Sequence, residues 1–268
     1  MKGKRMESLA LEENAGVLHV TLDRPGRRNA INLAMFDELR AVFEEAGGNP
    51  RIRVVVLRGS DGNFCSGGDL APDDAPGDDS PIEERTRRIL EERVAPMAKA
   101  LHALPQPTIA AVEGVAAGAG ANLALGCDFV LAAEGARFCE IFVRRALSLD
   151  CGGSWLLPRL VGLRKAKELA MLGDWIEAAE AANLGLINRV VAAPELAAEV
   201  DAWCERLTCH SPGALARIKR ALDESFECDF SLTVDGEAED QAACTTSPDF
   251  AEAIAAFLEK RPARFGPR

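Results

Sequence analysis

Twice in this chain a continuous apolar run leads within a few residues into a glycine-rich loop. The first is RVVVLRGSDGNFCSGGDL, over 53–70, and the second is TIAAVEGVAAGAGANLAL, over 108–125. Unbroken apolar runs suit strands covered on both faces, and such strands belong to parallel sheets with helical connections. The intervening segments have helical spacing. In INLAMFDELRAVFEEAGG the residues Met35, Phe36, Leu39, Val42 and Phe43 fall on one face, and Gly47 and Gly48 stop the run. VLHVTLDRP reads as a strand closed by Pro25, a polar helix is predicted over 82–104, and DFVLAAE reads as a further buried strand. Repetition of strand, loop and helix predicts an α/β fold with parallel strands. Past Pro194 only helical segments remain, which sets a boundary near residue 205: a core over 1–205 and a helical region over 206–268.

Composition narrows the function. The chain has 268 residues, 48% of them hydrophobic, enough for a sizeable core. A net charge of −11 argues against nucleic acid as a partner, so an anionic ligand must meet a local basic patch. Eight dispersed cysteines without a C-x-x-C pair, and only three histidines, argue against a zinc site and for reduced thiols in the cytosol. The N-terminal stretch lacks the apolar segment of a signal peptide. The longest apolar tract is broken by Glu113, Asn122 and Asp128, so it reads as core and not as a membrane span. APDDAPGDDSP, over 71–81, reads as a surface loop, either a solvated linker or a flap over a pocket.

The second glycine loop opens a helix, whose first N–H groups are unpaired and favour an anion. Neither loop spells a phosphate-binding motif, and GVAAGAG lacks the spacing of a dinucleotide site. Ordinary tight turns are one reading. The other is that backbone N–H groups from the two loops converge on one oxygen, with small residues permitting close approach.

The segments LDRPGRRNAIN, FCSGGDL, PTIAAVEGVAAGAGANLAL and LSLDCGGSWLLPRLVG, with EAAEAANLGLINRVV and SPDFAEAIAAFLEKRPARF, resemble the crotonase (enoyl-CoA hydratase/isomerase) superfamily over nearly the whole chain. The resemblance implies a ClpP/crotonase-like spiral of β-β-α turns followed by a helical trimerisation region. It implies an acyl-CoA thioester substrate from fatty-acid or related metabolism, with an enolate held in an oxyanion hole. Coenzyme A arrives as part of the substrate, and no metal or redox cofactor is expected. The implied assembly is a homotrimer, or a hexamer of two trimers. By the same resemblance the oxyanion donors are the N–H groups of Gly68 and Ala119, with Asp69 bracing its own loop. Arg24, Arg28 and the backbone at Ala30 would meet the nucleotide end of coenzyme A, and Ser66 and Leu70 would flank the pantetheine arm. Phe257 and Lys260 would come from a neighbouring subunit.

The two glutamates that the hydratases of this superfamily use fall here on Asn122 and Phe142, neither of which can exchange a proton at neutral pH. Asp150 stands where double-bond isomerases of the family place an aspartate. One carboxylate can remove a proton from one carbon and return it to another, so isomerisation ranks above hydration. Capping a helix near Gly152 is the competing role for Asp150. Glu140 shares a face with position 142 in an extended segment and is the competing carboxylate. Cys65 and Cys151, without a neighbouring base, read as packing residues. The alternatives are an enoyl-CoA hydratase and a non-catalytic acyl-CoA-binding homologue.

Overall fold

The computed structural model describes residues 3–69 and 80–266. The 71–81 loop thus lies almost wholly outside the described residues, as does Leu70. Among the described residues the larger sheet has seven strands. In chain order they are β1 (Lys4–Arg5), β2 (Leu9–Asn14), β3 (Val17–Leu22), β4 (Val54–Gly59), β5 (Thr108–Val112), β7 (Phe129–Ala133) and β10 (Arg189–Val191). They pair in that same order, antiparallel from β1 to β3 and parallel from β3 onward. A second sheet joins β6 (Val115–Ala117), β8 (Arg137–Cys139) and β9 (Ile176–Glu177).

The apolar runs are apolar throughout because both faces of the larger sheet are covered. Val55 and Leu57 point into one cluster with Met35, Leu39, Val42 and Phe43 of α1 (Leu33–Gly47). Val54 and Val56 point into the other, with Leu196, Val200 and Cys204 of α7 (Leu196–Thr208). Asn32 starts α1 by accepting a hydrogen bond from the Met35 N–H at 3.0 Å. The helical stretch expected over 82–104 is α2 (Ile82–Ile89), a π-helical turn at Leu90–Val94 and α3 (Ala95–His102). The widened turn lies immediately ahead of Pro96, which has no N–H to donate.

The spiral is visible in how the sheets alternate. β5 runs into β6 and then α4 (Ala119–Leu125), and β7 runs into β8 and then, past a 3₁₀ turn, α5 (Gly153–Leu172). β4 does the same in miniature, because Cys65 forms an isolated parallel bridge with Ala116 of β6. Helix α6 (Ala178–Asn183) precedes β10. Helix α7 runs through residue 205 and belongs to the sheet-covering layer. The change of character falls after it, at α8 (Pro212–Glu224), α9 (Phe230–Thr245) and α10 (Pro248–Glu259), where Ala256 is the one buried residue.

Arg53 ties this outer region to the core. It is 8% exposed and donates to the carbonyl oxygens of Thr208, His210 and Phe265 at 3.1, 2.6 and 3.2 Å. Arg53→Ala should lower the unfolding free energy by about 2–3 kcal/mol, because three charge-assisted bonds that tie the outer region to the core are lost. Urea denaturation of the variant beside the parent checks this; an unchanged midpoint would contradict it.

Candidate active site

The two glycine loops are laid against each other by backbone pairing. The Cys65 N–H donates to Val115 O at 2.8 Å, and the Ala117 N–H donates to Cys65 O at 3.0 Å. The residues that follow, 66–68 and 117–119, therefore leave adjacent strands side by side. Glycine is required at the tightest points. A Cβ on Gly120 would lie 2.5 Å from Cys65 O, and one on Gly67 (φ +110°) would lie 2.9 Å from Ala117 O. Gly118 takes φ +51° with ψ −125°, a combination that favours glycine, and Ala119 then has an ordinary negative φ at the first position of α4. Alanine therefore presents its amide here without strain. Among the described residues the N–H groups of Gly68 and Ala119 meet no acceptor, and Gly68 is solvent-exposed.

A polar lattice holds the first loop in place. Asn29 is fully buried at φ +55°. Its Oδ1 accepts from Arg24 N at 2.9 Å and Ser60 Oγ at 3.2 Å, and its Nδ2 donates to Ser60 O at 2.9 Å and Asn63 O at 2.7 Å. Arg24 donates to Ala30 O at 2.5 Å and pairs with Asp69 at 2.9 Å. The Asp69 N–H donates to Ile31 O at 2.8 Å, the Ser66 N–H to Arg28 O at 3.0 Å, and Ser66 Oγ to Arg27 O at 3.2 Å. Arg24 is thus engaged within the lattice beside Asp69, whereas Arg27 and Arg28 are exposed and, among the described residues, carry no ion pair. Asn29 was not singled out in the sequence; the available signal was an asparagine in a tight turn, the residue type that best tolerates positive φ. Phe257, 79% exposed, and Lys260, at the left-handed end of α10, stand in the outer region, where α10 packs on α9.

Asn122, Glu140 and Asp150 come together below the second loop. Asn122, 1% exposed, donates through Nδ2 to Asp150 O at 3.0 Å and, at 3.4 Å, to Glu140 Oε2. Helix α5 is capped by Gly152 (φ +83°) without any side-chain hydrogen bond, so the Asp150 carboxyl does not serve as its cap. Asp150 Oδ1 is instead buried and, among the described residues, unpartnered. Burial pushes this carboxyl up to about 6, against a hydrogen bond from Cys151 that pulls it down. Burial likewise pushes Glu140 up to about 8, opposed by the Asn122 hydrogen bond and reinforced by the Asp150 charge. Phe142 is buried, and its ring lies against Gly118, where a Cβ would be 3.6 Å from Cζ. The position expected of a glutamate thus carries a ring that walls the second glycine loop. Burial pushes the Cys65 thiol up to about 12 and the Cys151 thiol well above its usual value, so neither supplies a thiolate.

A cleft of 480 Å³ adjoins this cluster. Asn122 and Cys151 lie at one part of it, and Met97, Leu101, Leu123 and Leu156 give it an apolar lining. Trp155 stands edge-on to His102 at 5.2 Å between ring centroids, and Asp223, Glu224 and Glu227 border the same cleft.

Residues 12–268 match the family model described as enoyl-CoA hydratase/isomerase. A Rhodobacter capsulatus protein named "Probable enoyl-CoA hydratase" is 39% identical over 96% of this chain and 97% of its own length. The 1,2-epoxyphenylacetyl-CoA isomerase of Escherichia coli is 36% identical over 97% of this chain and 98% of its own. The crystal structure of an enoyl-CoA hydratase from Bacillus anthracis superposes with a TM-score of 0.91 at 29% identity, covering 98% of this chain and all of that one.

Proposed function

Since the chain belongs to the enoyl-CoA hydratase/isomerase family and has the crotonase fold, we propose that it shifts a carbon–carbon double bond in an acyl-CoA thioester, with Asp150 as the proton carrier. The observation that carries this reading is the Asp150 carboxyl beside Asn122, whose Oδ1 is buried and, among the described residues, unpartnered, next to two loops whose Gly68 and Ala119 amides meet no acceptor among those residues. The thioester oxygen accepts hydrogen bonds from the Gly68 and Ala119 N–H groups. The Asp150 carboxylate takes a proton from the acyl chain, the C–H electrons move into the conjugated system, and the thioester oxygen carries the resulting enolate charge. The protonated Asp150 then returns its proton to a different carbon. The carboxylate is regenerated, the double bond has moved, and no further reactant is consumed. A carboxyl titrating near 6 suits both halves, being ionised at neutral pH yet more basic than an exposed aspartate.

Arg28 is exposed beside the first loop and suits the phosphates of coenzyme A, with half-buried Ser66 flanking the pantetheine; Ala30 is buried, its N–H bonded to Arg27 O and its carbonyl to Arg24, which leaves it a supporting place in that turn. Phe257 and Lys260 would complete that grip from a neighbouring subunit. The exposed apolar residues of the outer helices, Phe230 at 85% and Phe257 at 79%, support self-association, as in a homotrimer or a hexamer of two trimers. The apolar cleft suits an uncharged acyl group, and its bordering carboxylates disfavour one that ends in a carboxylate. A second reading, hydration of a 2-enoyl-CoA, is supported by the names of several relatives and by the presence of Glu140 as a second carboxyl.

Ultraviolet absorbance separates the two activities. A 3-enoyl-CoA should gain the absorbance of the conjugated thioester, while crotonyl-CoA should lose little; rapid loss from crotonyl-CoA would favour hydration. Asp150→Asn should lower isomerase kcat by roughly 10²–10⁴-fold with KM little changed. If that variant keeps the parental rate, another group carries the proton; if the parent binds acyl-CoA thioesters and turns over none of them, the chain is an acyl-CoA binder. In the parent, kcat/KM should fall as pH drops through about 6, because the working carboxylate then becomes protonated. Ala119→Pro removes one N–H at the first helical position, where proline is tolerated, and should cost about 3 kcal/mol in rate while leaving the fold intact by circular dichroism. An active Ala119→Pro enzyme would count against the oxyanion assignment.

A further inference from the structure

Glu140 takes no part in the proton transfer described above, yet it is 5% exposed just past β8 and, among the described residues, no cation pairs with it. The charged and titratable groups around it are otherwise engaged. Arg144 pairs with Asp174 at 2.8 Å, and the Cys139 thiol donates to Gly173 O at 3.1 Å. From the loop before α5 come Asp150 and Cys151, and from α4 only the uncharged Asn122. Among the described residues the Asn122 carboxamide is the one hydrogen-bond donor to Glu140. An ionised carboxylate in such surroundings is costly, so the neutral acid is the stable form.

The geometry gives that neutral acid a task. Asn122 Nδ2 donates at once to Glu140 and to the Asp150 backbone oxygen, so one amide joins α4, the end of β8 and the loop before α5. The amide cannot swing away towards α5, because it fills the space above Gly153, where a Cβ would lie 2.4 Å from Nδ2. We propose that Glu140 is a positioning residue: uncharged, it holds the Asn122 carboxamide, which fixes the Asp150 backbone and thereby aims the Asp150 side chain. The inference rests on Asp150 being the proton carrier. Ionisation of Glu140 would put a second negative charge beside Asp150 and disturb this arrangement, so activity should also fall on the alkaline side, as pH rises through about 8.

The test measures isomerase kcat and KM across the pH range for the full-length parent, Glu140→Gln, Glu140→Leu and Asp150→Asn, with thermal melting by circular dichroism. Glutamine keeps the shape and the contact but cannot ionise. Glu140→Gln should hold kcat within about threefold of the parent at neutral pH and lose the alkaline limb, whereas Glu140→Leu should lose roughly tenfold or more in kcat at unchanged KM. A Glu140→Gln enzyme as impaired as Asp150→Asn would overturn the proposal and make Glu140 a proton carrier. A retained alkaline limb in Glu140→Gln, or a parental rate in Glu140→Leu, would overturn it in favour of simple packing. Should the leucine variant fail to fold, the glutamine pH profile decides alone. Failure of the underlying assignment shows separately, as a parental rate in Asp150→Asn.

Discussion

Two backbone hydrogen bonds between Cys65 and β6, at 2.8 and 3.0 Å, hold the candidate site together. They join one turn of the spiral to the next at the point where both chains leave their strands. Because the pairing is parallel, the following residues emerge in the same direction and next to each other. Everything in contact with this junction is small or made inert by burial. Gly120 leaves space for the Cys65 carbonyl, Gly67 for the Ala117 carbonyl, and the Cys65 thiol is fully enclosed. The absent side chains let the two backbones touch, and contact between backbones is what leaves two amides without acceptors among the described residues.

Charge at the site is governed by desolvation. Asp150 and Glu140 are both raised by burial, to about 6 and about 8. Glu140, the more deeply buried of the two and facing the Asp150 charge, is raised further, so Asp150 is the first of the pair to ionise as pH rises. Asn122 stands between them and exchanges no proton itself. Around the first glycine loop the charges behave conventionally. Arg24 and Asp69 neutralise each other within the lattice, and Arg27 and Arg28 of the same turn are exposed and, among the described residues, carry no ion pair.

Much of this was legible from residue patterns. The apolar runs of β4 and β5, the buried face of α1 and the paired glycine loops follow from local periodicity and from glycine's lack of a side chain. The fold itself came from motif resemblance, since periodicity alone yields only a parallel α/β class. The short strands β8, β9 and β10 carry too few residues to show a period, and they exist because tertiary pairing imposes them. Helix α7 crosses the boundary drawn at 205 because an amphipathic helix on a sheet and one in a helical layer share the same pattern. Three features depend on long-range geometry that no local pattern encodes: the engagement of Arg24 by Asp69, the four hydrogen bonds of Asn29, and the burial of Glu140 against Asn122.

The account as a whole requires that a bound thioester carbonyl be gripped by two amides. Infrared difference spectroscopy of a carbonyl-labelled, non-reacting acyl-CoA bound to the protein reads this directly. Polarisation by Gly68 and Ala119 predicts a C=O stretch displaced to lower frequency than in solution, with the displacement reduced in Ala119→Pro. A bound carbonyl that absorbs at its solution frequency would contradict the account, however tightly the ligand is held.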